Sequence, residues 1–240
     1  MRKLLILLMI TALAGISSAA SVQLGAAADT DIRQVAPDYG LSNRSGMWVS
    51  SVSDNGIKGY MRFELPTDID YVTSATLTLS RDIAGAWNST YDIYGLDDDV
   101  TANDWEEINS ARNPGDPYTM GLTWNNAPGN DTTSETTFDP AESSMLGDFQ
   151  VVGYNYGGAG GDTYSISGAS LLNFLNGDTD ENVTFMISRH SGESTSLDIF
   201  GVRETEAAAT LTLEYVAVPE PATLALIGLG GFFIRRKRSS

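Results

Sequence analysis

Apolar and polar residues alternate with a period of two along much of this chain, and that spacing predicts β-strands. The clearest run is 71–81, where Ala75, Leu77 and Leu79 alternate with Thr76, Thr78 and Ser80. A strand of this kind buries one face and wets the other. Similar runs at 57–65, 91–96, 149–154, 182–188, 197–202 and 209–216 predict further strands, separated by clusters of Gly, Asn, Asp and Pro that favour turns. Helical spacing occurs only at 169–175, and that segment is short. Many short strands with turn-rich spacers predict an all-β fold, a β-sandwich of jelly-roll type. The weakest strand signal lies at 97–148, rich in Asn, Asp, Pro and Gly, and predicts a long excursion over one end of the sandwich.

Both ends of the chain break this pattern. Arg2 and Lys3 precede an apolar stretch at 4–14, and the small residues Ser18, Ala19 and Ala20 follow, so residues 1–20 read as a secretory signal peptide. At the other end an apolar run at 222–234 is closed by Arg235, Arg236, Lys237 and Arg238. Each basic residue at bilayer depth costs roughly 2.5–3.5 kcal/mol, so the run enters the membrane and the cluster stays on the cytoplasmic side. The run is shorter than the ~20 residues that cross a bilayer comfortably, which fits a transient transmembrane anchor. Three parts result: a signal peptide at 1–20, a β domain at 21–217 and a membrane tail at 218–240.

Charge narrows the partners. Six of the 14 Lys and Arg sit in the two terminal segments, leaving 8 in the β domain against 30 of the 31 Asp and Glu, a formal charge of about −22. Such a field repels phosphate and excludes nucleic acid as a partner. Dense carboxylates do attract hard divalent cations, so calcium is the expected cofactor if there is one. Asp29 and Asp31, two apart on an extended strand, point the same way and could share an ion with Glu204. With no cysteine, the exported domain has neither disulfides nor thiol chemistry and depends on its core.

Pro219, Glu220 and Pro221, the apolar run and the terminal cluster headed by Arg235 and Arg236 closely resemble the PEP-CTERM sorting signal of Gram-negative bacteria. That resemblance implies recognition by an exosortase-type processing protease, passage through the inner membrane and delivery to the cell surface or extracellular matrix. A second resemblance runs along the β domain. ADTDIRQVAPDYG at 28–40, GYMRFELPTDIDYVTSATLTLS at 59–80, DWEEIN at 104–109, LTWNNAPG at 122–129 and VRETEAAATLTLEYV at 202–216 are similar to the DNRLRE family, related to carbohydrate-binding module family 96. It implies a jelly roll that binds acidic or neutral polysaccharide. Where that family carries Ser-Arg-Glu before its last strand, this chain has Val202, Arg203 and Glu204.

Candidate chemistry is sparse. His190 is the one histidine, in an Arg-His-Ser-Gly turn, and reads as a solvated loop residue. Asp104 with Glu106 and Glu107 is a carboxylate group of the kind glycosidases use, but 31 acidic residues make such groupings common. Trp105 and Trp124 read as packing residues. Trp87, Tyr154 and Tyr156 lie in turn-like segments and are the candidates for stacking against sugar rings. The resulting expectation is a secreted, non-catalytic surface protein that binds extracellular polysaccharide. Its alternatives are a polysaccharide lyase or glycoside hydrolase, and a purely structural matrix or adhesion protein.

Overall fold

A computed structural model of the chain describes residues 19–40, 46–83, 88–100, 105, 121–151, 162–192, 197–205 and 207–218. Eleven strands and one helix follow in the order β1 (Ala19–Gly25), β2 (Ala28–Arg33), β3 (Met47–Val52), β4 (Asn55–Glu64), β5 (Ile69–Ile83), β6 (Ser89–Leu96), β7 (Ser143–Val151), β8 (Asp162–Ser167), α1 (Ala169–Gly177), β9 (Asn182–Arg189), β10 (Leu197–Phe200) and β11 (Thr210–Ala217). All pairings are antiparallel, in the order β1-β11-β5-β10-β3-β4-β9-β6-β7, with β2 on β4 and β8 on β5. The fold is all-β. Among the described residues no helix is long and apolar enough to cross a membrane; 1–18 and 219–240 lie outside them.

Alternation explains which side chains meet. Leu77 and Leu79 of β5, Leu211 and Leu213 of β11, Met61 and Phe63 of β4, Val183, Phe185 and Ile187 of β9, and Tyr91 and Ile93 of β6 join one hydrophobic cluster. These strands come from both arms of the sheet, so the sheet folds over its own apolar face. Full burial of each Leu or Phe stabilises by about 1.5–3 kcal/mol, which is how a cysteine-free domain holds together. Rings tighten the centre: Phe63 meets Phe185 edge-on at 5.6 Å and Tyr91 meets Phe200 at 5.2 Å.

Residues of β4, β6 and β9 are buried on the opposite face as well. Tyr60, Leu96 and Met186 form a second cluster with Trp105, Leu122, Trp124, Ala127 and Phe138. The described part of the excursion predicted between 97 and 148, Trp105 and residues 121–142, therefore packs down onto the sheet with a small core of its own. Trp105 and Trp124 are buried in it, as packing residues, and the Trp105 ring N–H donates to Thr184 Oγ1 at 3.0 Å.

Helix α1 matches the spacing at 169–175. It starts at Gly168, whose φ of 119° suits glycine alone, and buries Leu171 and Leu175. Its last turn is pinned by Asn176, whose carboxamide accepts from the Val72 N–H at 2.8 Å and donates to the Val72 carbonyl at 3.0 Å. The pairing of β5 with β11 shifts register beside Val72, and Asn176 occupies the main-chain groups of that residue.

Four strands have no counterpart in the alternation: β1, β2, β3 and β8. Five of six β2 residues are buried, including Asp29, Thr30 and Asp31, so no polar face shows in its sequence. Strand β7 starts at Ser143, six residues ahead of the expected 149, and ends at Val151. Ala19 and Ala20, placed by sequence in the signal peptide, pair in β1 with Val216 and Tyr215.

Candidate functional site

Strand register gives the sheet two functional ends. At one, Ser89 pairs with Val151, Tyr91 with Arg189, Arg81 with Asp162 and Ile83 with Ile199. The segments 84–88, 152–161 and 190–196 thus all leave the sheet from the same end, here termed the loop end. At the other, Ala19 pairs with Val216, Ile69 pairs with Ala217, and the Val218 N–H donates to the Asp68 carbonyl at 2.7 Å. The chain continues from there into residues 219–240, which makes this the tail end. Between them runs β5, 15 residues long, roughly 45 Å at about 3.3 Å per residue.

Trp87, Tyr154 and Tyr156 lie outside the described residues, in two of the segments rooted at the loop end. Beneath those roots is a buried polar cluster that the sequence did not announce. The Tyr91 hydroxyl donates to the Asp198 carboxylate, and the Arg189 guanidinium donates to Ser89 Oγ. Arg189 and Asp198 are fully buried, with the guanidinium carbon 5.9 Å from the centre of the Tyr91 ring. Burial, and then the neighbouring Asp198 charge, push the Tyr91 hydroxyl well above its usual pKa, so it stays protonated and donates. Nearer the surface, Arg81 pairs with Asp162 at 2.8 Å and half-exposed His190 sets Nδ1 2.9 Å from Asp92 Oδ1.

The tail end carries the acidic group. Asp98, Asp178 and Asp180 each offer a carboxylate oxygen within 4.8 Å of the others. Asp98 and Asp178 edge a groove of about 450 Å³ between the β6–β7 end and α1, whose lining includes Asp97, Asn173, Phe174 and Asn182. Tight turns bring the loop carboxylates together: Asp178 Oδ2 accepts from the Glu181 N–H at 2.9 Å and Asp180 Oδ1 from the Asn182 N–H at 2.9 Å. The Thr179 hydroxyl donates to Asp98 Oδ2, while Asp98 Oδ1 is closed to solvent and has no hydrogen-bond donor. Desolvation, then the Asp180 and Asp98 charges, raise Asp178 to a pKa of about 6. Three hard oxygens at this spacing could hold calcium.

Asp29, Asp31 and Glu204, the ligands expected from sequence, are engaged differently. Asp29 Oδ2 accepts from the Arg203 main-chain N–H at 2.7 Å, and Asp31 Oδ2 accepts from Arg33 Nε at 2.7 Å. Glu204 Oε1 lies 2.8 Å from Arg203 Nε. Asp29 and Glu204 are brought near each other through Arg203, which also donates to the Ala27 carbonyl at 2.9 Å. These contacts bind the β10–β11 connection to β2, a fastening role for the VRETE stretch. Among the described residues, the carboxylates that converge are those at 98, 178 and 180. Spacing along one strand found Asp29 and Asp31, but the converging set is assembled from segments 80 residues apart in sequence.

Lys58 was also missed. On β4 it is fully buried, and its ammonium donates to Asn130 Oδ1 at 2.7 Å, the Asp131 carbonyl at 3.0 Å and the Thr137 carbonyl at 2.6 Å. Trp124 and Phe138 flank it, with ring centres 4.6 and 4.9 Å from Nζ. Burial lowers its pKa to about 7 against the raising influence of Asp131 and Glu135. One side chain thus fastens the 121–142 segment to the sheet.

No curated protein matches the chain by sequence. Among solved structures it is similar to a recombinantly expressed latent aurone synthase, a polyphenol oxidase, at 13% identity and a TM-score of 0.31, covering 76% of this chain and 27% of that one. Latent aurone synthase from a natural source gives 14% identity and a TM-score of 0.32, covering 82% of this chain and 29% of that one. The chain spans under a third of the length of either protein. Residues 217–238 match the PEP-CTERM protein-sorting motif, whose first residue, Ala217, is the last of β11. The chain carries a sorting signal that implies exosortase-type processing, with export and membrane-anchored transit before release at the surface.

Proposed function

We propose that this protein is a non-catalytic, polysaccharide-binding domain displayed at the cell surface or in the extracellular matrix, built as a jelly-roll-like β-sandwich of the DNRLRE kind. The observation that carries the reading is the gathering of the three loop roots at the end of the sheet farthest from the sorting tail. A domain held by its C-terminal segment would then carry the roots of the segments that contain Trp87, Tyr154 and Tyr156 at the far end of β5, a strand roughly 45 Å long. Exposed Asp162 and His190, held by buried Arg81 and Asp92, add hydrogen-bonding groups for sugar hydroxyls beside that end. Aromatic faces for the C–H side of a pyranose and polar groups for its hydroxyls are what glycan binding requires.

Affinity gel electrophoresis of the 21–218 fragment tests it. Mobility falls in gels containing an extracellular polysaccharide, and no reducing ends or unsaturated products accumulate. Trp87→Ala weakens the retardation by about 1 kcal/mol, several-fold in affinity, if stacking on a sugar resembles stacking on a ring. Steady product release would make the protein an enzyme, and unaltered mobility on every polymer would leave a structural matrix protein.

Sorting has its own test. Glu220→Lys places a cation between the two prolines of the motif, and the full-length chain then accumulates in the inner membrane. Normal release of that variant in a fractionation blot would remove the motif from the account.

A second reading, calcium binding, is favoured by the solvent-closed Asp98 Oδ1 without a donor. An ion bound only by the folded state raises the melting temperature, by about 2.7 kcal/mol of stability at a hundred times Kd. Asp178→Asn removes that gain. Since Asp178 has a raised pKa of about 6, its proton competes with the ion, and the gain fades as pH falls through 6. Identical melting curves at pH 7.5 with calcium and with chelator would end this reading.

A further inference from the structure

We propose that removal of the signal peptide has to be completed before β11 docks, because the folded chain closes the Ala20–Ser21 bond within the β1–β11 ladder. This rests on the signal-peptide reading of residues 1–20. The bond lies inside the paired register, one residue in from its first described pair: Ala19 opposes Val216, Ala20 opposes Tyr215 and Ser21 opposes Glu214. Ala20, Val22 and Leu24 pack against the core, so β1 is held by side chains as well as by main-chain bonds. A signal peptidase reads the small side chain immediately before the bond it cuts. In the folded chain that methyl group faces the core, where an enzyme pocket cannot receive it.

Pairing of this bond is a late event. Strand β1 is the first in the chain and β11 the last, and β11 is itself held on its other side by β5. No residue of β1 finds its partner until residues 210–216 have been made and exported. At about 5–20 residues per second, the intervening chain takes roughly 10–40 s to synthesise. During that time the bond is in an unpaired segment. Cutting is a hydrolysis: water adds to the Ala20 carbonyl carbon, the C–N bond breaks, and Ser21 leaves as an amine that takes up a proton. The remaining strand, 21–25, still carries Val22 and Leu24 to the core, and its new ammonium faces the register position of exposed Glu214.

The consequence is an order of reactions. Signal hydrolysis comes first, sheet closure second, and tail processing third. The third step acts beyond the Val218–Asp68 bond, the last main-chain bond among the described residues, and Pro219 has no N–H to extend that pairing. A chain that folds before its signal is cut stays tethered at both ends, with the two tethers leaving from neighbouring strands.

The experiment dilutes urea-unfolded full-length chain into detergent buffer and adds a bacterial signal peptidase after increasing delays. The cleavable fraction falls at least tenfold with the same time course as folding followed by tryptophan fluorescence. Val216→Pro, at the end of β11 where Val216 stands between Ala19 and Tyr71, restores cleavage at long delays while melting stays cooperative. Should that variant fail to fold, hydrogen exchange on the wild-type chain supplies the second measure, with whichever of the Ala20 and Ser21 amides points at β11 protected as strongly as those of β11. Equal cleavage at every delay, or rapid exchange at both Ala20 and Ser21, would overturn the proposal. An uncut 1–206 chain, which lacks β11, would instead overturn the signal-peptide reading on which it rests.

Discussion

Replacing Lys58 with Met lowers the melting temperature by about 10 °C. The stem fits the same space, so the loss isolates the ammonium, whose three acceptors at 2.6–3.0 Å remain in the protein without a donor. A hydrogen bond to a charged group contributes about 1.5–3 kcal/mol, and neighbouring bonds are not additive, so the total is about 4 kcal/mol. For a domain of this size each kcal/mol shifts melting by about 2–4 °C. The sign of the pH dependence follows from the lowered pKa. The folded lysine releases its proton near pH 7 while the unfolded one keeps it to about 10.4, so the unfolded chain binds more protons in between. Wild-type stability therefore rises as pH goes from about 7 towards 10, and Lys58→Met abolishes that rise. Denaturant titrations at pH 7 and 9 check both statements, and a variant within 1 kcal/mol of wild type at pH 7 would refute the fastening role.

Lys58 also shows where sequence reading stops. Strands β4, β5, β6, β9, β10 and β11 were legible because their inner faces are apolar at every second residue, as in Met61 and Phe63 or Leu211 and Leu213. On the outer face of β4, Lys58, Tyr60 and Arg62 look like a wet surface, yet Lys58 and Tyr60 are completely buried, against residues of 124–138 and Trp105. Alternation reports the contrast between faces and cannot report a second layer laid over the polar one. Strand β2 failed for a related reason: Asp29 and Asp31 are buried because Arg203 and Arg33 come to them. Their shared face was readable from the spacing of two. That the partner of Asp29 is a main-chain N–H depends on the β10–β11 connection lying beside β2, a contact across 174 residues.

The candidate sites divide in the same way. The sorting motif was legible because it is contiguous, a tripeptide followed by an apolar run and a basic cluster that acts through composition and order. The acidic group at the tail end was not, although Asp97, Asp98 and Asp99 stand in a row in the sequence. Asp98 acquires its neighbours only when β6 and β9 pair and set the end of one beside the start of the other. Gathering the loop roots at one end likewise needs the register of six strands.

Arg189→Met is the second large effect, a loss of about 3–5 kcal/mol. Arg189 and Asp198 flank Tyr91 with opposite charges in a region shut off from water, and both influence its hydroxyl. Removing one charge from such a cluster leaves the other buried without its counterweight, which costs far more than the loss of a surface pair. Chemical logic then dictates a rescue. Asp198→Asn keeps the shape and an acceptor for the Tyr91 hydroxyl but removes the negative charge, so adding it to Arg189→Met recovers part of the stability lost. In a double-mutant cycle the two changes couple by at least 1 kcal/mol. The cluster also lies beneath the roots of all three loops at the loop end, through Ser89, Arg189 and Leu197 and their sheet partners. Polysaccharide retardation therefore weakens in Arg189→Met at temperatures where the domain is still folded and recovers in the double variant. Calcium stabilisation through Asp98, Asp178 and Asp180, at the far end of the sheet, stays as in wild type. Strict additivity of the two substitutions would show that Arg189 is held by packing alone, and a parallel loss of calcium stabilisation would show that the two ends of the sheet do not act independently.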